Sequence, residues 1–328
     1  MTHSPDSEKQ VSEASGSWPD VVWDWFKELY RYRVIEQLYN DKHRTLIERE
    51  GSGKQQEISL RLVCLDASDW LSSSFKRLHS AAVFSATLRP VDYQASVLGL
   101  ADAGNTLSLP SPFTSEQLAC LVCDWIDTRY KNREQSAQEL VDLIHRVSCL
   151  QQGNYLVFFP SYAYMRQIHR LYTIRYPDAV TAIQEQGSGA EARDAFLAQF
   201  TPKTRTLGFA IMAGVFGEGI DYKGDSLIGA IVVGTGLPGL GLEQSLLQQQ
   251  FTDNGQNGFD YACRFPGLTR VLQAAGRVIR SESDKGIIVL VDPRFNSPFY
   301  RDLLPHFWQP KSCSTVNTVC ELLEDFWQ

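Results

Sequence analysis

The sequence lacks a long apolar run, a positive net charge and a disulfide framework. No segment approaches the roughly 18 apolar residues that a membrane span requires, and the polar opening 1–17 is expected to be a disordered tail, not a signal peptide. Lysine and arginine total 31 against 38 acidic residues, so any contact with nucleic acid must be a local groove. The seven cysteines are scattered, which indicates reduced thiols in a cytoplasmic protein without a membrane partner.

A zinc site is also missing. Cys120 and Cys123 form a CxxC, but no second CxxC or nearby histidine completes a set of four ligands. The surrounding segment TSEQLACLVCDWI is predicted to be a helix, with both cysteines packed in the core. No metal site is therefore predicted in this chain.

Two glycine-rich segments are incomplete matches to nucleotide-binding loops. GSGK at 51–54 is followed by Gln55, whereas a Walker A loop needs GxxxxGK followed by Ser or Thr. GTGLPG at 234–239 has the spacing of a dinucleotide fingerprint, but only one convincing strand follows it, and a Rossmann unit needs several. We interpret 234–239 as a flexible loop and keep a dinucleotide-dependent enzyme as a remote alternative.

The C-terminal two thirds of the chain alternates apolar strands with amphipathic helices, which predicts an α/β fold with a parallel sheet. The predicted strands are 155–159, a weak one near 179–184, 207–212, 228–233 and 286–292. The predicted helices are 115–129, 135–149, 162–174, 190–199, 241–250, 267–281 and 316–327.

The N-terminal part has a different pattern. Its aromatic residues have helical spacing over 18–50, which predicts one or two helices that dock elsewhere. The alternation in EISLRLVCL predicts a strand, followed by a short helix at 67–78 and the strand SAAVFSA at 80–86.

The segment QAAGRVIR, 273–280, carries the most chemistry. On a helix, Gln273, Arg277 and Arg280 share one narrow sector opposite an apolar face. Arginine is always charged and suits phosphate oxygens, and Gly276 allows close approach of a nucleotide or another backbone. An ordinary amphipathic helix with solvated arginines remains the alternative.

Four segments together resemble motifs III, IV, V and VI of the XPD/DinG-type superfamily 2 DNA helicases. They match in order and approximate spacing across roughly 58–295, and the resemblance is to the C-terminal half of such a protein. The four segments are VFSATLRP at 83–90, GNYLVFFPSYAYM at 153–165, AGVFGEGIDYKGD at 213–225 and QAAGRVIR.

The resemblance implies a RecA-like helicase C-terminal domain with a parallel sheet flanked by helices, preceded by a remnant of the first motor domain. The domains would be the tail 1–17, the helical segment and remnant 18–105, and the second RecA-like domain 106–328. The opening methionine is compatible with a fragment, a split gene or a mis-assigned start.

The resemblance also assigns roles to individual residues. These are catalytic Arg277, Arg280 and Gln273; ATP-binding Gly219, Asp221 and Glu218; coupling Ser85 and Thr87; and DNA-binding Ser161 and Tyr162. The sequence leaves open a bulged loop with capping acids for 217–221, and a role for Tyr162 in capping the sheet.

The implied function is ATP-dependent unwinding of DNA, with DNA repair as the setting. ATP with Mg²⁺ would be bound mainly by the missing N-terminal motor half, in cis or in trans, because this chain has neither a Walker A loop nor a DEAH-like acidic pair after a strand. No iron–sulfur cluster is expected in this chain, and the isolated chain is expected to be inactive. The alternative is a non-catalytic module that binds single-stranded DNA or a partner.

Overall fold

The computed structural model describes residues 18–50, 57–100, 104–187, 189–212 and 226–328. Its contacts divide the chain into two compact units, Met1–Leu71 and Ser72–Gln328. The expected division of the chain near residue 105 stays a prediction.

The first unit contains one long helix and one hairpin. Helix α1 spans Trp18–Gln37, and strands β1 (His43–Glu50) and β2 (Glu57–Cys64) pair antiparallel. The prediction of helix up to residue 50 is wrong for β1. The alternation there has the period of a strand, because Leu46 is buried while its neighbour Ile47 is exposed.

The second unit is built around a seven-stranded sheet in which every pair of neighbouring strands is parallel. The strands are β3 (Leu118–Cys123), β4 (Tyr155–Phe159), β5 (Thr181–Ile183), β6 (Leu207–Ile211), β7 (Gly229–Val233), β8 (Gly286–Val291) and β9 (Lys311–Cys313). Their order is β5-β6-β4-β7-β8-β3-β9. The predicted parallel α/β fold is confirmed.

The remaining elements are helices. They are α2 (Ser68–Phe75), α3 (Val91–Val97), α4 (Arg133–Leu150), α5 (Tyr162–Arg175), α6 (Ala190–Leu197), α7 (Leu242–Asp253), a π-helix (Asp260–Arg264), α8 (Phe265–Ala275), α9 (Pro298–Arg301) and α10 (Val316–Trp327). Short 3-10 turns lie at Tyr130–Asn132, Pro293–Asn296 and His306–Trp308.

Strand β3 corrects the prediction of a helix over 115–129. The strand is buried on both faces of the sheet, so its apolar run has no alternation that distinguishes a strand from a helix. Cys120 and Cys123 pack into the cores on opposite faces, and burial raises the pKa of both thiols. Their predicted role in core packing is confirmed.

The predicted strand SAAVFSA does not form a strand in the structure. Over the described ranges, no strand pairs with 80–86, and Phe84 is 89% exposed. An extended segment becomes a strand only when a neighbour accepts its backbone hydrogen bonds.

The described residues contain neither a membrane-spanning helix nor a metal-binding cluster. No helix there has both the length and the apolar character to cross a bilayer. No cluster of three or more His, Cys, Asp or Glu side chains in those same ranges could hold a metal ion.

Candidate functional site

We call the side of the sheet at which the parallel strands end the carboxyl edge and the opposite side the amino edge. Helix α8 connects these two edges. It precedes β8 and follows the loop after β7, so it runs from the carboxyl ends of the strands back to their amino ends. With 11 residues at about 1.5 Å each, it is roughly 16 Å long. Val271, Leu272 and Ala275 are buried in the core on one face of the sheet.

The arginines of the candidate motif VI lie after this helix, not on it. The helix ends at Ala275 and Gly276 follows it, so the prediction of a helix to residue 281 is wrong. Gln273 is in the last turn of the helix, and Arg277 and Arg280 are half-buried in the turn that leads to β8.

A carboxylate within the turn holds the backbone after the helix in a non-helical path. Asp284 accepts hydrogen bonds from the backbone N–H groups of Arg280 at 2.8 Å and Ser281 at 2.9 Å, and from the Ser281 hydroxyl at 2.7 Å. A continued helix would direct those N–H groups to backbone carbonyls instead. Partial burial by itself would raise the pKa of Asp284, but these hydrogen bonds hold it below its usual value.

Gln117 anchors the same turn to the start of β3. Its side-chain amide lies within hydrogen-bond distance of the carbonyl oxygens of Ser281, Glu282 and Asp284, at 3.2, 3.0 and 3.1 Å. Its side-chain oxygen accepts a hydrogen bond from the backbone N–H of Thr114 at 3.0 Å. Sequence reasoning missed Gln117, because no local pattern relates it to a turn more than 160 residues away.

The orientation of Arg280 is also fixed locally. Its Nε donates to the backbone carbonyl of Arg277 at 3.1 Å. Because the turn is fixed at Asp284 and at Gln117, the two guanidinium groups start from a defined backbone.

The other end of α8 packs on the loop that follows β7. Gly234 and Gly236 have positive φ angles of 85° and 69°, which favour glycine. A Cβ atom on Gly267 would lie 2.9 Å from the carbonyl oxygen of Thr235, and Arg270 donates to the carbonyl of Gly236 at 3.3 Å. Thr235 and Gly236, in the first half of GTGLPG, are therefore packed on the helix, and this packing accounts for the glycine at 236 without a dinucleotide. The interpretation of 234–239 as a flexible loop stays a prediction.

The residues of candidate motif IV follow β4 at the carboxyl edge. Ser161 caps α5 by accepting a hydrogen bond from the Tyr164 N–H at 3.4 Å. The Tyr162 hydroxyl accepts one from Gln184 Nε2 at 2.9 Å, and Gln184 in turn accepts from the backbone N–H of Ile211 at 2.9 Å. Tyr162 is therefore linked to the end of β6, while its ring stays half-exposed.

The residues of candidate motif III lie in the second unit. The hydroxyl groups of Ser85 and Thr87 are 3.3 Å apart, and Ser85 also accepts from the Thr87 N–H at 3.2 Å. Shortly after them, α3 docks on the segment that leads to α8. Tyr93 lies 4.8 Å from the ring of Phe265, and Ser96 accepts a hydrogen bond from Gln256 at 2.7 Å.

The structure brings some of the predicted residues together and separates others. Gln273, Arg277 and Arg280 lie towards the amino ends of β3 and β8, whereas Ser161 and Tyr162 lie at the carboxyl end of β4. Helix α8 and the loop after β7 connect the two edges. Gly219, Asp221 and Glu218 of candidate motif V lie outside the described residues.

A family model described as the helicase C-terminal domain matches residues 144–311, which is just over half of the chain. The chain belongs to this family. The match extends from the second half of α4 to the first residue of β9 and includes the α8 turn and the segment after β4.

Curated relatives agree with this assignment. A probable ATP-dependent helicase of Methanocaldococcus jannaschii, MJ0942, is 28% identical over 82% of this chain and 42% of its own length. The XPD helicase subunit of transcription and DNA repair factor IIH from Dictyostelium discoideum is 27% identical over 76% of this chain and 34% of its own. The 3′-5′ exonuclease DinG of Staphylococcus epidermidis is 26% identical over 86% of this chain and 32% of its own length.

Solved structures agree on the fold. An XPD helicase structure superposes with a TM-score of 0.66 at 18% identity, covering 96% of this chain and 56% of that one. Taken together with the family match and these relatives, the sheet and its flanking helices are a RecA-like helicase C-terminal domain, and the chain corresponds to the C-terminal half of an XPD/DinG-type helicase. It spans 32% to 42% of the length of the three curated relatives above.

Proposed function

We propose that the chain is the C-terminal motor portion of an ATP-dependent DNA helicase. The observation that carries the proposal is the arginine turn at the end of α8, in a chain of the helicase C-terminal domain family. Its two arginines are fixed at one edge of the sheet by a helix that starts at the other edge. Because it reaches both edges, this helix can transmit a displacement from one edge of the sheet to the other.

In this proposal, Arg277 and Arg280 stabilise the charge that develops on the terminal phosphate of ATP. Their guanidinium groups remain charged at any relevant pH and present planar donors to phosphate oxygens. Gln273, one turn earlier, orients the phosphates or Arg277. The nucleotide-binding site is completed by the segment that contains Gly219, Asp221 and Glu218.

A first motor domain, in cis or in trans, would hold most of the ATP. The GSGK segment of this chain does not fulfil the requirements of a Walker A loop, so we assign the phosphate-binding lysine to that domain. Mg²⁺ would neutralise phosphate charge there. Residues 18 to about 105 would be the remnant through which the two motor domains join.

The single-stranded DNA track would cross the carboxyl edge at Ser161 and Tyr162. A half-exposed ring next to a helix N-terminus can stack on a base while backbone N–H groups contact phosphate. Ser85 and Thr87, through α3, would relay changes between the track and the arginine turn.

Two assays of the isolated chain test this proposal. Titration with a fluorescently labelled thymidine oligonucleotide should show binding without ATP, and ATP turnover should be negligible. Robust ATP turnover that is abolished by Arg280→Ala would contradict the assignment of the nucleotide site to a second domain.

The incomplete GSGK loop also supports a second candidate, a non-catalytic module that binds single-stranded DNA or a partner. The two candidates differ in their response to a first motor domain. Addition of that domain should produce DNA-stimulated ATP turnover if the chain is a motor half. It should produce none if the chain is a binding module.

A further inference from the structure

The loop that follows β3 is a rigid, basic and aromatic segment at the carboxyl edge of the sheet. Asp127 fixes it by accepting hydrogen bonds from the Arg129 backbone N–H at 3.0 Å, the Arg129 guanidinium at 3.1 Å and the Asn132 amide at 2.6 Å. These bonds hold the pKa of Asp127 below its usual value, although burial alone would raise it. The loop therefore presents its outward side chains from a defined backbone.

Arg133 is the half-buried cation of this loop, and it contacts two aromatic rings. Its Nε donates to the backbone carbonyl of Thr128 at 2.9 Å, and its guanidinium lies 4.4 Å from the centre of the Tyr164 ring. Among the described residues, no carboxylate forms an ion pair with it. Burial lowers the pKa of Arg133. No carboxylate of the described residues therefore balances the positive charge of Arg133, and a bound anion would balance it.

The buried carboxylate that contacts this loop, Asp292, is already paired with another cation. Asp292 is fully buried and accepts hydrogen bonds from Arg294 at 2.7 and 2.9 Å and from the Thr128 hydroxyl. Its charge is thus balanced by Arg294, and Arg133 remains available to a ligand.

Tyr130 places an aromatic ring beside this cation. It is 87% exposed, and the Arg133 guanidinium lies 5.7 Å from its centre. A tyrosine ring this exposed contributes little to the core, whereas it can stack on a base of any sequence. Lys131, also exposed, adds a second cation on the same turn.

The loop is connected to the segment after β4. Tyr164, on which Arg133 stacks, belongs to the first turn of α5, and that turn begins at the Ser161 cap. The Tyr164 ring itself is buried, at 2% exposure, so Arg133, which packs over it, connects the exposed Tyr130 to the start of α5 at the carboxyl edge.

We propose that Tyr130 and Arg133 bind single-stranded DNA, Tyr130 by stacking on a base and Arg133 by contacting a phosphate. The two residues extend the track from β4 across the sheet to β3. This inference rests on the proposed function, because it lengthens the DNA track described there.

The test is fluorescence anisotropy of a labelled thymidine oligonucleotide with the full chain at several salt concentrations. Tyr130→Ala should weaken binding about 5- to 150-fold, the range that corresponds to stacking of one base, whereas Tyr130→Phe should bind like the wild type. Arg133→Gln should reduce the slope of log affinity against log salt by about 0.7, and Arg133→Lys should preserve it.

Two controls separate this inference from the proposed function. Arg170→Gln removes an exposed cation on α5, about two turns after Tyr162, and should leave the slope of log affinity against log salt unchanged. If Tyr162→Ala weakens binding while Tyr130→Ala and Arg133→Gln do not, the extension to β3 is wrong and the track at β4 stands. If the wild type does not bind the oligonucleotide, both are wrong. Tyr130→Ala removes an exposed side chain and should leave the fold intact. It therefore tests the extension of the track to β3 even if the Arg133→Gln protein does not fold.

Discussion

A methyl group on the α carbon of Gly236 would overlap with the backbone carbonyl oxygen of Gly267. The loop after β7 and the first turn of α8 are thus in backbone contact. Because the arginine turn lies at the far end of α8, a displacement of this loop would shift the whole helix. In the proposed motor, this contact links the DNA edge of the sheet to the arginines.

Gly236→Ala should therefore destabilise the second unit. The new Cβ would meet Gly267, and a φ of 69° is unfavourable for alanine, so we expect a loss of about 1–3 kcal/mol in the free energy of unfolding. Thermal unfolding followed by circular dichroism measures this. Gly239→Ala is the matched control, since a Cβ there has nothing within 4 Å, and it should change stability by less than about 0.5 kcal/mol. Equal effects of the two substitutions would exclude the contact as the cause.

Gln117→Ala should loosen the arginine turn without unfolding the domain. The substitution removes the amide that reaches three backbone carbonyls of 281–284, so the N–H groups of this segment should exchange with solvent faster. Hydrogen exchange of peptides that span 276–286 measures the effect. Gln138→Ala, which changes an exposed glutamine on α4, should leave that exchange unchanged. Unaltered exchange in Gln117→Ala would show that Asp284 alone holds the turn.

Asp284 should make stability dependent on pH in the acid range. Its pKa is lower in the folded state than its usual value of about 3.9, so its contribution is fully present above that value and is lost as the pH falls through the folded pKa. Asp284→Asn should therefore lower the melting temperature at pH 7, and the difference from the wild type should narrow below about pH 4. A difference that stays constant from pH 7 down to pH 3 would contradict this role.

The sequence predicted most of the sheet but misassigned β1, β3 and the segment SAAVFSA. Strands β4, β6, β7 and β8 were correct because short apolar runs between glycine-rich turns are typical of buried parallel strands. Strand β3 has the same apolar run, yet it was predicted as a helix because periodicity cannot separate the two. SAAVFSA was predicted as a strand, although no described strand pairs with it.

The candidate site also combines residues that the sequence predicted with residues that it did not. Arg277 and Arg280 could be found from one local motif, whereas two of the contacts that hold the site could not. Gln117 contacts the turn from the start of β3, and Gly236 contacts Gly267 through backbone atoms that leave no trace in hydrophobic spacing. Asp284 was within reach of a local argument, since Ser281 and Asp284 are residues that compete with a helix for its N–H groups.

The most direct test of the central claim is ATP turnover by this chain joined to a first motor domain that carries a Walker A loop, with single-stranded DNA present. Arg280→Ala should reduce turnover about 10³- to 10⁵-fold, the range for loss of an arginine that stabilises phosphoryl transfer. The melting temperature should stay near that of the wild type. Turnover within twofold of the wild type in a folded Arg280→Ala protein would contradict the account.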